Sequence, residues 1–257
     1  MPRNKEKNMG KLDNRTALVT GGGSGIGLAI AEAFAKEGAK VLLVGRRESV
    51  LQEACEKNEN FCYVAADITK TEDVAKVAEY VKDSFDGKLN ILVNNAGWCP
   101  VQPLKAMTIA DYDKAFDLDV RALVDMTIQT LPYILAAKGN IINLSSVGVT
   151  HRAANLSMYQ GAKAAVENFT RVWAIELAGD GVRVNAIAPG AIRTDIWNVP
   201  GLTAEQNAEH EKAITSGVPF KRFGRPEEVG AIALFLASDE SSYVSGSVYA
   251  VDGAMGA

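Results

Sequence analysis

A chain of 257 residues, 47% hydrophobic and 23% charged, is long enough to bury a large core within one α/β domain. Its formal charge of -4 argues against nucleic acid or an anionic membrane as the main partner, since either favours a basic face. No apolar run approaches the roughly 20 residues needed to span a bilayer, so no membrane association is expected.

The first ten residues, "MPRNKEKNMG", are polar and basic and lack the apolar core of a signal peptide. They read as a flexible tail (1–10) ahead of one domain (11–257). Short, continuously apolar runs follow at 16–20, 40–44, 61–65, 90–94, 140–144, 182–187 and 247–251. Such runs fit strands covered on both faces. Helical patterns lie between them near 26–37, 71–85, 108–136, 157–178 and 226–237, with Gly38 placed to end the first. The alternation predicts an α/β fold with a Rossmann-like, doubly wound parallel sheet. The stretch 193–223 breaks the rhythm. It has no strong strand, is polar, holds Pro200 and Pro219, and reads as an irregular substrate lid. Cys55, Cys62 and Cys99 are odd in number and show no C-x-x-C spacing, which fits reduced thiols in a cytoplasm. His151 and His210 stand far apart with no ligand cluster around them, so no zinc site is expected.

Two short stretches carry the chemistry. "TGGGSGIG" (20–27) follows the first strand and opens the first helix. Glycine permits positive φ and close approach of a phosphate, and the helix N-terminus adds free N–H groups, so the turn reads as a pyrophosphate cradle. Five glycines in eight residues cost chain entropy with no structural return visible in the sequence. "MYQGAKAAV" (158–166) sets Tyr159 and Lys163 four apart, on one helix face. An ammonium beside a phenol favours the phenolate and lowers its pKa from about 10. Ser146 lies thirteen residues before Tyr159, at the C-terminal end of the strand "NIINL" where doubly wound sheets bind ligands.

The spacing T-G-x-x-x-G-x-G, together with "NNAG" (94–97), Ser146 and Y-x-x-x-K (159–163), resembles the classical short-chain dehydrogenase/reductase family. "PGAIRT" (189–194), "GRPEEVG" (224–230) and "VSGSVYAVDG" (244–253) resemble its later motifs, so the likeness runs from about residue 12 to the end. The resemblance implies hydride exchange between a nicotinamide cofactor and an alcohol or ketone. Tyr159 would exchange the proton with the substrate oxygen, Ser146 would hold that oxygen, and Lys163 would lower the tyrosine pKa, bind the nicotinamide ribose and pass protons toward solvent. It also implies a dinucleotide site built from Gly21, Gly23, Ser24, Gly25, Ile26 and Gly27. Asp67 and Ile68, then Asn94, Ala96 and Gly97, would line the adenosine side. Pro189, Gly190, Ile192 and Thr194 would reach the carboxamide and phosphates. One position departs from the pattern: "FDLDVRALV" (116–124) holds Asp119 where the family has Asn. In the family the Asn supports a helix bend and a water of the proton relay. Asp119 keeps acceptors but, when ionised, loses the amide donor; the simplest expectation is that it substitutes tolerably for the Asn, and the alternatives are a protonated buried carboxylate or one that pairs with Lys163. A protein that binds dinucleotide with little turnover, a sensor or scaffold, is the alternative from another class.

The second strand ends "LLVGRRESV", with Gly45 in the slot where NAD-preferring proteins place an acid and with Arg46 and Arg47 following. NADP is therefore expected over NAD, with the guanidinium groups on the 2′-phosphate. Substrate residues are expected after "NNAG", in the 147–155 loop and in 193–223: Trp98, Cys99, Val149, His151, Asn155, Ile196, Trp197 and Phe220. The aromatic content points to a hydrophobic secondary alcohol or ketone, a hydroxysteroid or bile acid first and a 3-oxoacyl-carrier-protein substrate second. For the carrier, Arg121, Arg152 and Arg171 are the docking candidates. The family resemblance further implies a homotetramer.

Overall fold

Every apolar run becomes a strand: β1 (Thr16–Thr20), β2 (Lys40–Gly45), β3 (Phe61–Ala65), β4 (Ile91–Asn94), β5 (Asn140–Leu144), β6 (Arg183–Pro189) and β7 (Val248–Val251). The computed structural model describes residues 10–194, 197 and 203–257; the tail before Gly10, Ile196 and Pro200 lie outside the described residues. The strands form one parallel sheet in the order β3-β2-β1-β4-β5-β6-β7. Side chains alternate across it. Ala17 and Val19 enter one core layer and Leu18 the other, so both faces are apolar and the runs are mostly apolar, with Asn143 and Asn185 as buried exceptions that hydrogen-bond inside the fold.

The helices are α1 (Gly25–Lys36), α2 (Glu48–Lys57), α3 (Thr71–Ser84), α4 (Ile109–Phe116), α5 (Ala122–Ala137), α6 (Ser157–Glu176), α7 (Ala204–Ser216) and α8 (Pro226–Ala237). Phe34 of α1 and Leu236 of α8 share one face of the sheet with Leu51 of α2, all fully buried. Val77 of α3 and Met126 of α5 cover the other face. Gly38 takes φ 91° and ends α1, as its position predicts.

Three local differences matter. α2 is absent from the sequence reading because its ten residues bury only Leu51 and Ala54, too narrow a stripe to register. Residues 204–216 of the supposed irregular lid are helix α7, started by a capping box in which Thr203 accepts from the Gln206 backbone and Gln206 returns to Thr203. The single helix expected over 108–136 is two helices joined by a π-helical turn at Asp117–Arg121. A π turn inserts an extra residue and re-aims the side chains around it. Here it carries Asp119 inward.

Candidate active site

A cavity of about 820 Å³ opens at the C-terminal ends of β1, β2, β3 and β4, across the point where the strand order reverses. Gly21, Gly23, Ser24, Gly25, Ile26 and Gly27 form one wall. Gly21 (φ 64°) and Gly25 (φ 56°) occupy the left-handed region that side chains avoid. No side chain caps the first turn of α1; the Ser24 hydroxyl instead accepts from the Arg47 guanidinium at 3.3 Å. The uncapped N-terminus, with no acid in its first turn, therefore faces the cavity as a ready anion site. The opposite wall brings Gly45, Arg46 and Arg47 from the end of β2, Asp67 and Ile68 from β3, and Ala96 and Gly97 from β4. Donor groups, shape and size fit a dinucleotide.

The β4 end is fixed by Thr20 and Asn95. The Thr20 hydroxyl accepts from the backbone N–H of Asn95 (3.0 Å) and Ala96 (3.1 Å), and the Asn95 amide donates to the Thr20 carbonyl (2.8 Å). This clamp joins the glycine turn to "NNAG". It corrects the expectation for Asn94, which is buried and turned away from the cavity. The Asn94 amide donates to Thr127 (3.1 Å) and Asn143 (2.9 Å), a strand-to-helix network; Asn95 lines the cavity instead. The sequence carries two adjacent asparagines, and only the pleat of β4 decides which faces in.

Lys163 lies beside Gly97, with Tyr159 next to its ammonium and Ser146 acting on Tyr159. Ser146 follows β5, and its hydroxyl accepts from the Gly148 N–H at 3.1 Å. The Lys163 ammonium lies 5.7 Å from the Tyr159 ring centre and donates to the Leu144 carbonyl at 3.0 Å. Its third neighbour is Asp119, at 3.1 Å in a fully buried ion pair. The Asp119 carboxylate also accepts from the Trp98 N–H at 3.2 Å. Burial raises the Tyr159 pKa; the ammonium and Ser146 oppose this, and Asp119 and Cys99 add to it, so the net direction is up. That reverses the lowering expected from Lys163 alone. For Lys163, burial works against the charge, but Asp119 and Tyr159 outweigh it and the pKa also rises. Burial, then the nearby Asp119, pushes the Cys99 thiol up to about 11.

The remaining expected residues divide. Thr194 reaches the dinucleotide cavity. Pro189, Gly190 and Ile192 are outside its lining: Gly190 packs against Asp252, and Ile192 bridges to Gly224 in a second cavity of about 310 Å³. Trp197, expected at the substrate, instead tilts against Phe223 at 5.5 Å and donates its indole N–H to the Ile192 carbonyl at 2.6 Å. It packs, half-buried, against a small core of Val218 and Phe223, and its indole N–H finds a partner there. Trp98 is half-buried, with the Lys114 ammonium 4.2 Å from its ring centre. Val149 is half-buried and Asn155 exposed; the Asn155 carbonyl accepts from Gln102 N–H, tying the loop after β5 to the loop after β4. Arg121 and Arg171 are held by Asp117 and Glu167. No described helix is long and apolar enough to cross a membrane.

A family model described as "Enoyl-(Acyl carrier protein) reductase" matches residues 21–255. The chain is 35% identical over 251 residues to the 3-oxoacyl-[acyl-carrier-protein] reductase FabG of Thermotoga maritima, covering 95% of this chain and 99% of that protein. It is 36% identical over 254 residues to oxidoreductase UcpA of Escherichia coli, covering 95% of each. A solved short chain dehydrogenase/reductase family protein superposes with a TM-score of 0.83 at 34% identity, over 95% of this chain and 97% of that one. The chain belongs to the short-chain dehydrogenase/reductase family and is an NAD(P)-dependent oxidoreductase of alcohols and ketones.

Proposed function

We propose that the protein interconverts a hydrophobic secondary alcohol and its ketone with NADP, and that Ser146, Tyr159 and Lys163 carry the proton chemistry. The observation that carries the reading is that Lys163 lies against Gly97, which lines a cavity shaped for a dinucleotide, with Tyr159 beside the Lys163 ammonium and Ser146 acting on Tyr159. When bound, the cofactor gives or takes the hydride at the substrate carbon. The Tyr159 hydroxyl gives its proton to the carbonyl oxygen in reduction and removes it from the alcohol in oxidation. Ser146 accepts from the Gly148 N–H, which leaves its own proton to hold the substrate oxygen. Lys163, anchored by Leu144 and Asp119, keeps a third donor for a ribose hydroxyl. Arg46 and Arg47, with no acid at Gly45, favour the 2′-phosphate of NADP. Asp67 takes both Thr69 bonds on one oxygen and offers the other to the adenine amino group.

The substrate wall is Trp98, Val149 and Asn155 around Ser146 and Tyr159. With Trp197 packed into its own core, the case for a hydroxysteroid or bile acid rests on Trp98 and the apolar flank of the loops. The similarity to a 3-oxoacyl-carrier-protein reductase favours a second reading, a 3-oxoacyl thioester, with the exposed Arg152 as its docking cation. The exposed Ile128, Val172 and Ile175 on α5 and α6 fit a homo-oligomer, a tetramer by family resemblance. A panel of hydroxysteroids, 3-oxoacyl thioesters and sugars, followed by nicotinamide absorbance with NADP and NAD, tests the proposal. Steroid turnover with NADP supports the first reading and thioester turnover the second. Tight dinucleotide binding without turnover on any of them refutes both and leaves the sensor or scaffold.

A further inference from the structure

The residue that departs from the family pattern has a partner the sequence left open. Asp119 sits in the π turn with its side chain wholly buried, and Lys163 is nearly so. A buried carboxylate or ammonium without a counter-charge is costly, so each of these groups answers the other's need. The pair is also built into the site. A Cβ on Gly97 would lie 2.5 Å from Asp119 Oδ1 and 3.2 Å from Lys163 Nζ, so a side chain there would press on both groups where they meet. The titratable groups facing Lys163 are Asp119 from the π turn, Tyr159 from its own helix and Cys99 from the loop after β4. Asp119 and Cys99, with Lys163, also face Tyr159. Glu167, one turn further along α6, is engaged with Ser145 and Arg171. No second cation stands among these neighbours to restore a positive field.

We propose that Asp119 is a positioning residue that fixes Lys163 and offsets its charge, so that Tyr159 works beside a neutral lysine–aspartate unit in place of a lone ammonium. The inference rests on the reaction proposed above for Tyr159. It goes beyond that reading because it sets the pH range in which the tyrosine acts. Asp119 accepts from Trp98 as well, so the same carboxylate also ties the first residue after "NNAG" to the proton-transfer cluster.

The test is Asp119→Asn, which keeps the size and an acceptor for Trp98 but removes the charge. Phenolate formation is followed by ultraviolet difference absorbance in the cofactor-free protein, with Tyr159→Phe as the subtraction. The carboxylate lies within roughly 9 Å of the Tyr159 ring, because Lys163 is 5.7 Å from the ring and 3.1 Å from Asp119. At an effective dielectric of about 20, removing a charge at that distance moves a titration by about one pH unit or more. The Tyr159 step should therefore move down by about that much, and the pH limb of kcat/KM should move with it. A folded Asp119→Asn protein whose phenolate step stays in place overturns the inference, even if its melting temperature falls. Should that variant fail to fold, the native protein still decides. A native Tyr159 step well below the ordinary value of about 10 means Lys163 acts uncompensated and the inference is wrong. A phenolate step that moves in a protein without turnover on any substrate would refute the proposed reaction and leave this inference standing.

Discussion

Replacing Gly45 by aspartate should reverse the cofactor preference. β2 ends at Gly45, and Gly45, Arg46 and Arg47 share the cavity wall. A Cβ at Gly45 would meet nothing nearer than Leu51 at 3.7 Å, an ordinary contact, so the new side chain fits without moving the strand. Its carboxylate can accept from the ribose hydroxyls of NADH, and it opposes the 2′-phosphate of NADPH. A carboxylate and a phosphate charge about 5 Å apart repel by roughly 1 kcal/mol in water and roughly 3 kcal/mol at an effective dielectric of about 20. NADPH affinity should fall about 10- to 100-fold and NADH affinity should rise, read as Kd by calorimetry. Removing a single guanidinium by Arg46→Ala or Arg47→Ala forfeits a charge-assisted bond of about 1.5–3 kcal/mol, again about 10-fold or more against NADPH alone. Both arginines are exposed, so the NADPH Kd should also weaken with added salt while that of NADH stays level. Equal losses for the two cofactors in Gly45→Asp, or native Kd values that do not differ, would refute the assignment of this wall to the 2′-phosphate.

Three further changes probe the rest of the site. Tyr159→Phe removes the proton donor and should lower kcat about 100-fold or more with dinucleotide Kd unchanged; near-native kcat would move the acid–base role elsewhere. Gly97→Ala forces the Asp119–Lys163 pair apart, so thermal unfolding should show a loss of about 1–3 kcal/mol and dinucleotide binding should weaken; native behaviour in both would mean the pair is not as tightly enclosed as its contacts state. Arg193→Ala breaks an exposed double contact with Glu211 on α7 and a cation–π contact with Phe223. The pair is more than half open to solvent on the arginine side, so stability should fall by less than about 1 kcal/mol, and the effect should appear in substrate KM. A large drop in melting temperature with KM unchanged would make α7 a structural prop and not a cover for the substrate.

The strands were legible because a doubly covered sheet keeps its strands mostly apolar on both faces, with Asn143 and Asn185 as hydrogen-bonded exceptions, so each run stood out without help from periodicity. The helices were legible where their buried stripe was wide. α2 buries only two residues, too few to show in the sequence, and α7 lies in a segment whose prolines and polarity hide the T-x-x-Q cap at Thr203. At the site, residues whose role depends on one chain neighbour were read correctly in type but not always in direction. "NNAG" pointed to the cavity, yet the pleat turns Asn94 into the interior and Asn95 outward. Trp197 was assigned by composition, and its indole N–H found a backbone carbonyl in a local core instead. The glycine turn shows the reverse case. A Cβ on Gly27 would lie 2.3 Å from the Gly21 carbonyl and 2.5 Å from the Asn95 amide. Part of the glycine content is thus demanded by packing against the clamp, and only Gly21 and Gly25 require the left-handed backbone toward the cavity.

Asp119 marks the boundary of what spacing reveals. The residue type was visible, and so was the choice between a protonated acid and an ion pair, but the choice could not be made on a regular helix. Along an unbroken α-helix each residue advances the face by about 100°, so one inserted residue turns the following positions by that much. The π turn at Asp117–Arg121 absorbs this rotation within a few residues, which keeps Ala122 and Met126 in the sheet core while Asp119 reaches across to α6. Ala115 and Ala122 are fully buried on either side of the turn, so the two helices are anchored independently and the turn has little freedom to relax. The charge partner is therefore a product of backbone geometry. A helix that ran straight through this segment would have pointed the same carboxylate elsewhere and left Lys163 as the lone ammonium that the sequence pattern implies.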